Sequence, residues 1–140
     1  MARCGWVGVD PIYIAYHDDE WGVPEFDGRA LFEKLALEGF QAGLSWITIL
    51  RKRETFRHAF AGFEPGVLTG WGEAEVTRLL SDPGIVRHRG KIEATLDNAR
   101  AWSEIEAREG FSTFLWERVG GAPIQNGWRA DDDVPAAPPL

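Results

Sequence analysis

Glu38 falls seven residues after Leu31 and three after Leu35, so on a regular helix it shares their apolar face, within about 20° of Leu31. A carboxylate there is desolvated or lines a cavity. Unpaired burial costs several kcal/mol, so it must be neutralised, hydrogen-bonded or matched to a cation. The alternative is a helix that ends at Gly39 and leaves Glu38 exposed near a C-cap. Trp6, Tyr13, Tyr16, Trp21 and Trp46 crowd around it in sequence, and seven tryptophans in 140 residues exceed a core's need. Aromatic faces with one acid suit a flat, electron-poor or cationic ring. Any single ring is more simply explained by core packing. Cys4 and His17 are a thiol and an imidazole of the kind zinc prefers, but a closed site takes four ligands. Taken alone, they read more simply as a buried thiol and a hydrogen-bonded histidine.

A different chemistry is written into Leu79 to Lys91, which runs Leu-Leu-Ser-Asp-Pro-Gly-Ile-Val-Arg-His-Arg-Gly-Lys. A helix, a tight turn at Gly84 and a second helix would present backbone N–H groups at a helix N-terminus. That arrangement favours an anion such as a DNA phosphate, and Arg87, Arg89 and Lys91 add attraction. The same features also describe an ordinary helix–helix connection. A second basic cluster holds Arg51, Lys52, Arg53 and Arg57, so these seven residues are nearly half of the 15 Lys and Arg. They sit within an acidic chain of net charge −7. Binding to nucleic acid must therefore be local to such patches rather than spread over the surface.

The elements that must position these groups read as helices. Leu31, Leu35 and Ala42 predict one face of a helix that begins near Asp27, an N-cap residue. A second helix is expected from about Ser45, with Trp46, Ile49, Leu50, Phe56 and Phe60 inward, broken by Pro65 and Gly66. A third starts near Glu73 with Val76, Leu79 and Leu80. The turn at Asp82-Pro83-Gly84 leads to a fourth carrying Ile92, Leu96 and Ala99. Phe114, Leu115 and Val119 predict a short fifth after Ser112. Strand signals are weak, and Asn126-Gly127 lacks flanking strands. The fold class is all-α. Residues 4 to 24, dense in Trp, Tyr, Gly and Pro, read as an ordered loop packed on the helices.

Composition bounds the rest. At 140 residues, 44% hydrophobic and 26% charged, the chain makes one domain and is neither wholly disordered nor fibrous. The helical domain is expected over residues 1–129, and the acidic, proline-rich residues 130–140 read as a disordered tail. No apolar run reaches the ~20 residues of a membrane helix, and the N-terminus shows no secretion signal. One cysteine excludes an internal disulfide and fits a reducing cytoplasm.

Three ordered blocks resemble the 3-methyladenine DNA glycosylase I family, within the helix-hairpin-helix glycosylase superfamily. They are Arg-Cys-Gly-Trp with residues 10–24 (Asp-Pro-Ile-Tyr-Ile-Ala-Tyr-His-Asp-Asp-Glu-Trp-Gly-Val-Pro), residues 37–48 (Leu-Glu-Gly-Phe-Gln-Ala-Gly-Leu-Ser-Trp-Ile-Thr), and residues 84–92 (Gly-Ile-Val-Arg-His-Arg-Gly-Lys-Ile). The match covers about residues 3 to 119. The resemblance implies that Glu38 hydrogen-bonds an extruded purine and that Tyr13, Tyr16 and Trp46 wall the base pocket, with Trp6 and Trp21 nearby. It implies that Gln41, Gly43 and Leu44 belong to the loop that fills the gap in the duplex. Gly84, Arg87, Arg89 and Lys91 then belong to the hairpin on the phosphate backbone, with Lys91 a phosphate partner.

The implied partners are alkylated double-stranded DNA and 3-methyladenine, with no membrane, and a monomer is expected. Cys4 and His17 match two of four structural zinc ligands. The other two lie in a C-terminal segment of the family, so the sequence resembles a truncated member in which two ligands alone would hold zinc poorly. The expected activity is hydrolysis of the N-glycosidic bond. The alternative is a non-catalytic remnant that binds alkylated purine or DNA weakly.

Overall fold

The computed structural model describes residues 4–122. The acidic tail expected over 130–140, the boundary at 129 and Asn126-Gly127 all lie outside them. Within the described residues there are helices and turns but no strand, as an all-α chain requires.

The N-terminal block is not a loop throughout. A 3-10 turn at Gly5–Val7 precedes helix α1 (Pro11–Asp19), whose N-cap Asp10 accepts from the Ile12 N–H and whose first residue is proline. Those are strong local start signals. The helix has no apolar stripe and buries none of its residues, so periodicity alone cannot reveal it.

Helix α2 (Gly28–Gln41) starts where expected, with Asp27 accepting from the Ala30 N–H. Its inward face is not the Leu31, Leu35 and Ala42 face. Phe32, Glu33, Ala36, Leu37 and Phe40 are buried, while Leu35 is about half exposed. The expected second helix is two, α3 (Trp46–Arg51) and α4 (Arg53–Ala59), separated at Lys52.

After α4 the chain takes a left-handed turn at Ala61, Gly62 and Phe63, with φ of 52°, 68° and 54°. Such φ values cost a non-glycine residue about 1–2 kcal/mol. Burial of the Phe63 ring, at stacking distance (5.4 Å) from Phe60, offsets it. Arg29 also donates to the Gly62 carbonyl at 2.8 Å.

Pro65 does not simply end a helix. It opens the short α5 (Pro65–Leu68) from the N1 position. Helix α6 (Glu73–Leu79) follows, its first turn tied by the Glu75 carboxylate accepting from the Gly72 N–H. Helix α7 (Arg89–Arg108) is the spine, packing on α2, α5 and α6. Helix α8 (Phe111–Glu117) closes against α2 and α7, and Val119 lies beyond its end. The core is a phenyl stack of Phe40, Phe56, Phe60 and Phe63, filled out by Ile49, Leu68, Leu79 and Ile92. Each such side chain contributes about 1.5–3 kcal/mol on burial.

Candidate active site

A cleft of about 490 Å³ opens between α1, α2 and α3, lined by Trp6, Tyr13, Tyr16, Trp21, Glu38, Gln41 and Trp46. All five aromatic residues expected around Glu38 are in its wall. The volume is in the range of small-molecule sites.

The rings touch one another in a chain. Trp6 lies 4.9 Å from Tyr13 and 5.6 Å from Trp21, and Tyr16 lies 5.6 Å from Trp46 at an interplanar angle of 54°. Tyr16 and Trp46 therefore form a wedge, not two parallel plates. The Trp46 indole Nε1–H is buried with no hydrogen-bond partner among the described residues.

Glu38 is exposed to the cleft. Helix α2 continues past it to Gln41, so no C-cap at Gly39 exposes it; it lies off the core face and lines the cavity, the second of the two environments expected for it. The buried carboxylate of this helix is Glu33, 5% exposed. Arg57 meets it with two prongs, Nε–Oε1 at 2.7 Å and Nη2–Oε2 at 2.9 Å, and Arg29 approaches to 3.6 Å. Burial pushes the Glu33 carboxyl up, but the Arg57 hydrogen bonds and charge, with Arg29 and Arg53, outweigh it and hold it below the ordinary range. Sequence reasoning missed Glu33 by following the wrong stripe. Phe32, Ala36, Leu37 and Phe40 repeat at helical spacing and mark the inward face.

Charge in the cleft is negative. Burial, and then the charges of Glu20 and Glu38, push the Tyr16 phenol above its usual value, so it stays a neutral donor near pH 7. The same field attracts a cation.

The neighbouring turn is tight. The Gln41 amide donates to the Leu44 carbonyl at 2.9 Å, the Leu44 N–H returns to the Gln41 carbonyl at 2.7 Å, and Gly43 has φ +82°. Leu44 is exposed at the tip.

The hairpin residues do less uniform work than their charges suggest. Gly84 donates its N–H to Asp82, and a Cβ there would come within 2.8 Å of Thr55. It is thus a close-packing glycine. Arg89 pairs with Glu73 at 2.9 Å and lies 3.5 Å from Glu93. The Lys91 ammonium is spent on the end of α2, donating to the Phe40 carbonyl at 3.0 Å and the Ala42 carbonyl at 2.6 Å. Binding phosphate would require it to leave those carbonyls. Arg87 is exposed and makes no ion pair among the described residues. Three of the four cations of the other basic cluster are likewise paired, Arg51, Arg53 and Arg57 to Asp10, Glu20 and Glu33.

Cys4 and His17 are neighbours, the Cys4 N–H lying 3.4 Å from His17 Nε2, while Nδ1 is 3.0 Å from Asp18. No group of three or more potential metal ligands gathers among the described residues. Two donors do not make a four-coordinate zinc site, so the described residues alone do not fit the metal. No helix of the described residues is long and apolar enough to cross a membrane.

Comparison with known proteins agrees with this geometry. The methyladenine glycosylase family model matches residues 6–140. The chain is 55% identical over 124 residues to DNA-3-methyladenine glycosylase 1 of Escherichia coli (strain K12), covering 88% of this chain and 66% of the relative. It is 50% identical over 125 residues to DNA-3-methyladenine glycosylase of Haemophilus influenzae, covering 89% and 68%. It thus spans about two-thirds of their length. A solved 3-methyladenine DNA glycosylase I superposes with a TM-score of 0.95 at 52% identity, over 99% of this chain and 76% of that one. A Y16F form of 3-methyladenine DNA glycosylase I, solved in complex with 3-methyladenine, gives 0.94 at 40% identity, over 99% and 75%.

Proposed function

Because the chain belongs to the methyladenine glycosylase family, we propose that it is a monofunctional DNA glycosylase that removes 3-methyladenine from alkylated duplex DNA. The observation that supports this best is the cleft itself, in which aromatic faces surround one exposed carboxylate. Methylation at N3 makes adenine cationic and its glycosidic bond weak. The base then needs recognition more than protonation. Extrusion costs a few kcal/mol, and less for a lesion that pairs poorly. Contact with Tyr16 and Trp46 returns roughly 1–3 kcal/mol per ring. Glu38 accepts from the exocyclic amine, and its charge favours the cationic base over unmodified adenine.

Water then adds its oxygen to the sugar C1′ as the C1′–N9 bond breaks. The bond's electron pair leaves with the base as neutral 3-methyladenine, the water gives up its proton, and an abasic site remains. No lysine among the described residues lines the cleft, which favours hydrolysis over Schiff-base chemistry and strand cleavage. The turn at Gln41–Leu44, with Leu44 at its tip, is suited to entering the gap left by the base. Arg87 is the hairpin cation best placed for phosphate.

The described lining residues all come from one chain, in keeping with a monomer, and the single cysteine supports a cytoplasmic setting. Zinc enters this reading only as a structural ion held by Cys4 and His17 with two further ligands, and no step depends on it.

The test is release of free 3-methyladenine from methylated duplex DNA by the 140-residue chain, with Glu38→Gln alongside. Release that depends on Glu38 is expected. A helical chain that releases no base would instead be a non-catalytic binding module.

A further inference from the structure

Helix α1 supplies two rings of the pocket and is only partly buried. None of its nine residues is buried, whereas α2 buries five and α3 two. It is also shorter than the ~12–15 residues at which an isolated helix becomes even marginally stable. The contacts of Tyr16 with Trp46 and of Tyr13 with Trp6 are contacts within the wall. They are the geometry to be fixed, not the source of it.

Besides the contacts of His17 with Trp6, Trp21 and the Cys4 N–H, α1 is met by a pair of arginines at the junction of α3 and α4. Arg51, in the last turn of α3, hydrogen-bonds Asp10, the N-cap of α1. Asp10 divides its oxygens, Oδ1 taking the Ile12 N–H and Oδ2 the arginine. Arg53 opens α4 and grips Glu20, the C-cap of α1, with Nη1–Oε1 at 2.7 Å and Nη2–Oε2 at 2.9 Å. That pair is mostly shielded, at 23% and 31% side-chain exposure. Asp10 and Glu20 stand about 15 Å apart along the helix, yet their partners are two residues apart in sequence. One helical turn further, Arg57 binds Glu33 of α2. Helix α4 thus carries one arginine for each of two pocket walls.

We propose that Arg51 and Arg53 are positioning residues, which hold α1 by its two caps and so fix Tyr13 and Tyr16 relative to Trp46 and Glu38. The consequence for ligand affinity rests on the base-pocket reading; the clamp itself does not. Two-pronged arginine–carboxylate pairs set direction as well as attraction, which is what placing a short helix requires.

Amide hydrogen exchange on the ligand-free 140-residue chain tests the clamp. In Arg51→Met/Arg53→Met, exchange across residues 11–19 should rise about tenfold while α2 and α7 keep their protection. Arg53→Lys, which keeps the charge but not the second prong, should fall between. Unchanged exchange in α1, or an equal rise in every helix, overturns the proposal.

Quenching of tryptophan fluorescence by free 3-methyladenine reads the coupling to the pocket. The double variant should bind about fivefold more weakly. Unchanged affinity in a variant whose α1 has loosened overturns the positioning role. If the unaltered chain binds no 3-methyladenine, the base-pocket reading fails, and the exchange comparison still decides whether the clamp exists.

Discussion

Glu33 and Glu38 stand five residues apart on α2 and face opposite demands. Glu33 looks into the core and is matched by the Arg57 guanidinium, with Arg29 beside it. Glu38 looks into the cleft among aromatic rings. A buried carboxylate is tolerated because its charge is cancelled where it stands. A carboxylate kept for a ligand must lack that cancellation and be reachable. The core side of α2 therefore uses its charge in the fold, and the cleft side leaves its charge open to the cleft, as the proposed function requires.

The sharpest way to break that contrast is to remove each charge in turn. Glu38→Gln should lower 3-methyladenine release by on the order of 10²–10³, with a melting temperature within about 2 °C of the parent. Equal losses of activity and stability would put Glu38 in the fold. Glu33→Gln should do the reverse. Losing one partner of a buried pair costs 3–5 kcal/mol at full burial. Arg57 is 35% exposed, so about 2–3 kcal/mol is expected here, a fall of roughly 10 °C. Release by the fraction still folded should be nearly unchanged. Calorimetry with single-turnover assays separates the two.

The acid limb of stability sharpens the same comparison. Glu33 titrates below its ordinary value of 4.5 in the folded chain. Its contribution is therefore complete above the unfolded value and lost as pH falls through the folded one. Urea midpoints of the parent and of Glu33→Gln should differ by a constant amount from pH 7 to about pH 5 and converge below about pH 4.5. A gap of unchanged size from pH 5 to pH 3 would mean that the ionised Glu33 carboxylate is not its source.

How much of this was legible in the sequence depends on which signal each element carries. The start of α2 shows in Asp27, the start of α7 in the turn after Asp82, and the pocket in its unusual density of rings. Helix α1 does not show by periodicity, because it buries no face and is held at its ends by ion pairs. Its Asp10-Pro11 start is the only local cue. Glu33 was hidden by a choice between two stripes of α2 that differ by one residue in phase. Leu35, about half exposed, belongs to the weaker stripe. The basic segment 51–57 could not be read at all from charge. Its partners Asp10, Glu20 and Glu33 lie 41, 33 and 24 residues away, and only the packing of α1 and α2 brings them within reach.

The smallest expected effects come from the hairpin, where three cations of like charge have three different fates. Among the described residues Arg87 has no ion pair to give up, whereas Arg89 must leave Glu73 and Lys91 would have to abandon two carbonyls at the end of α2. Counterion release counts only the charges that reach phosphate. Arg87→Ser should therefore reduce the slope of log affinity against log salt on duplex DNA by about one. Arg89→Ser should reduce it by less, because the chain's own Glu73 already screens that charge. Lys91→Met should leave the slope unchanged and instead cost about 1 kcal/mol of stability, since water can replace the ammonium at the exposed Ala42 carbonyl. Fluorescence anisotropy across 50 to 200 mM salt resolves these slopes. Equal changes for all three would mean that the hairpin acts as one undivided patch and that the Lys91 bonds to α2 open when DNA arrives.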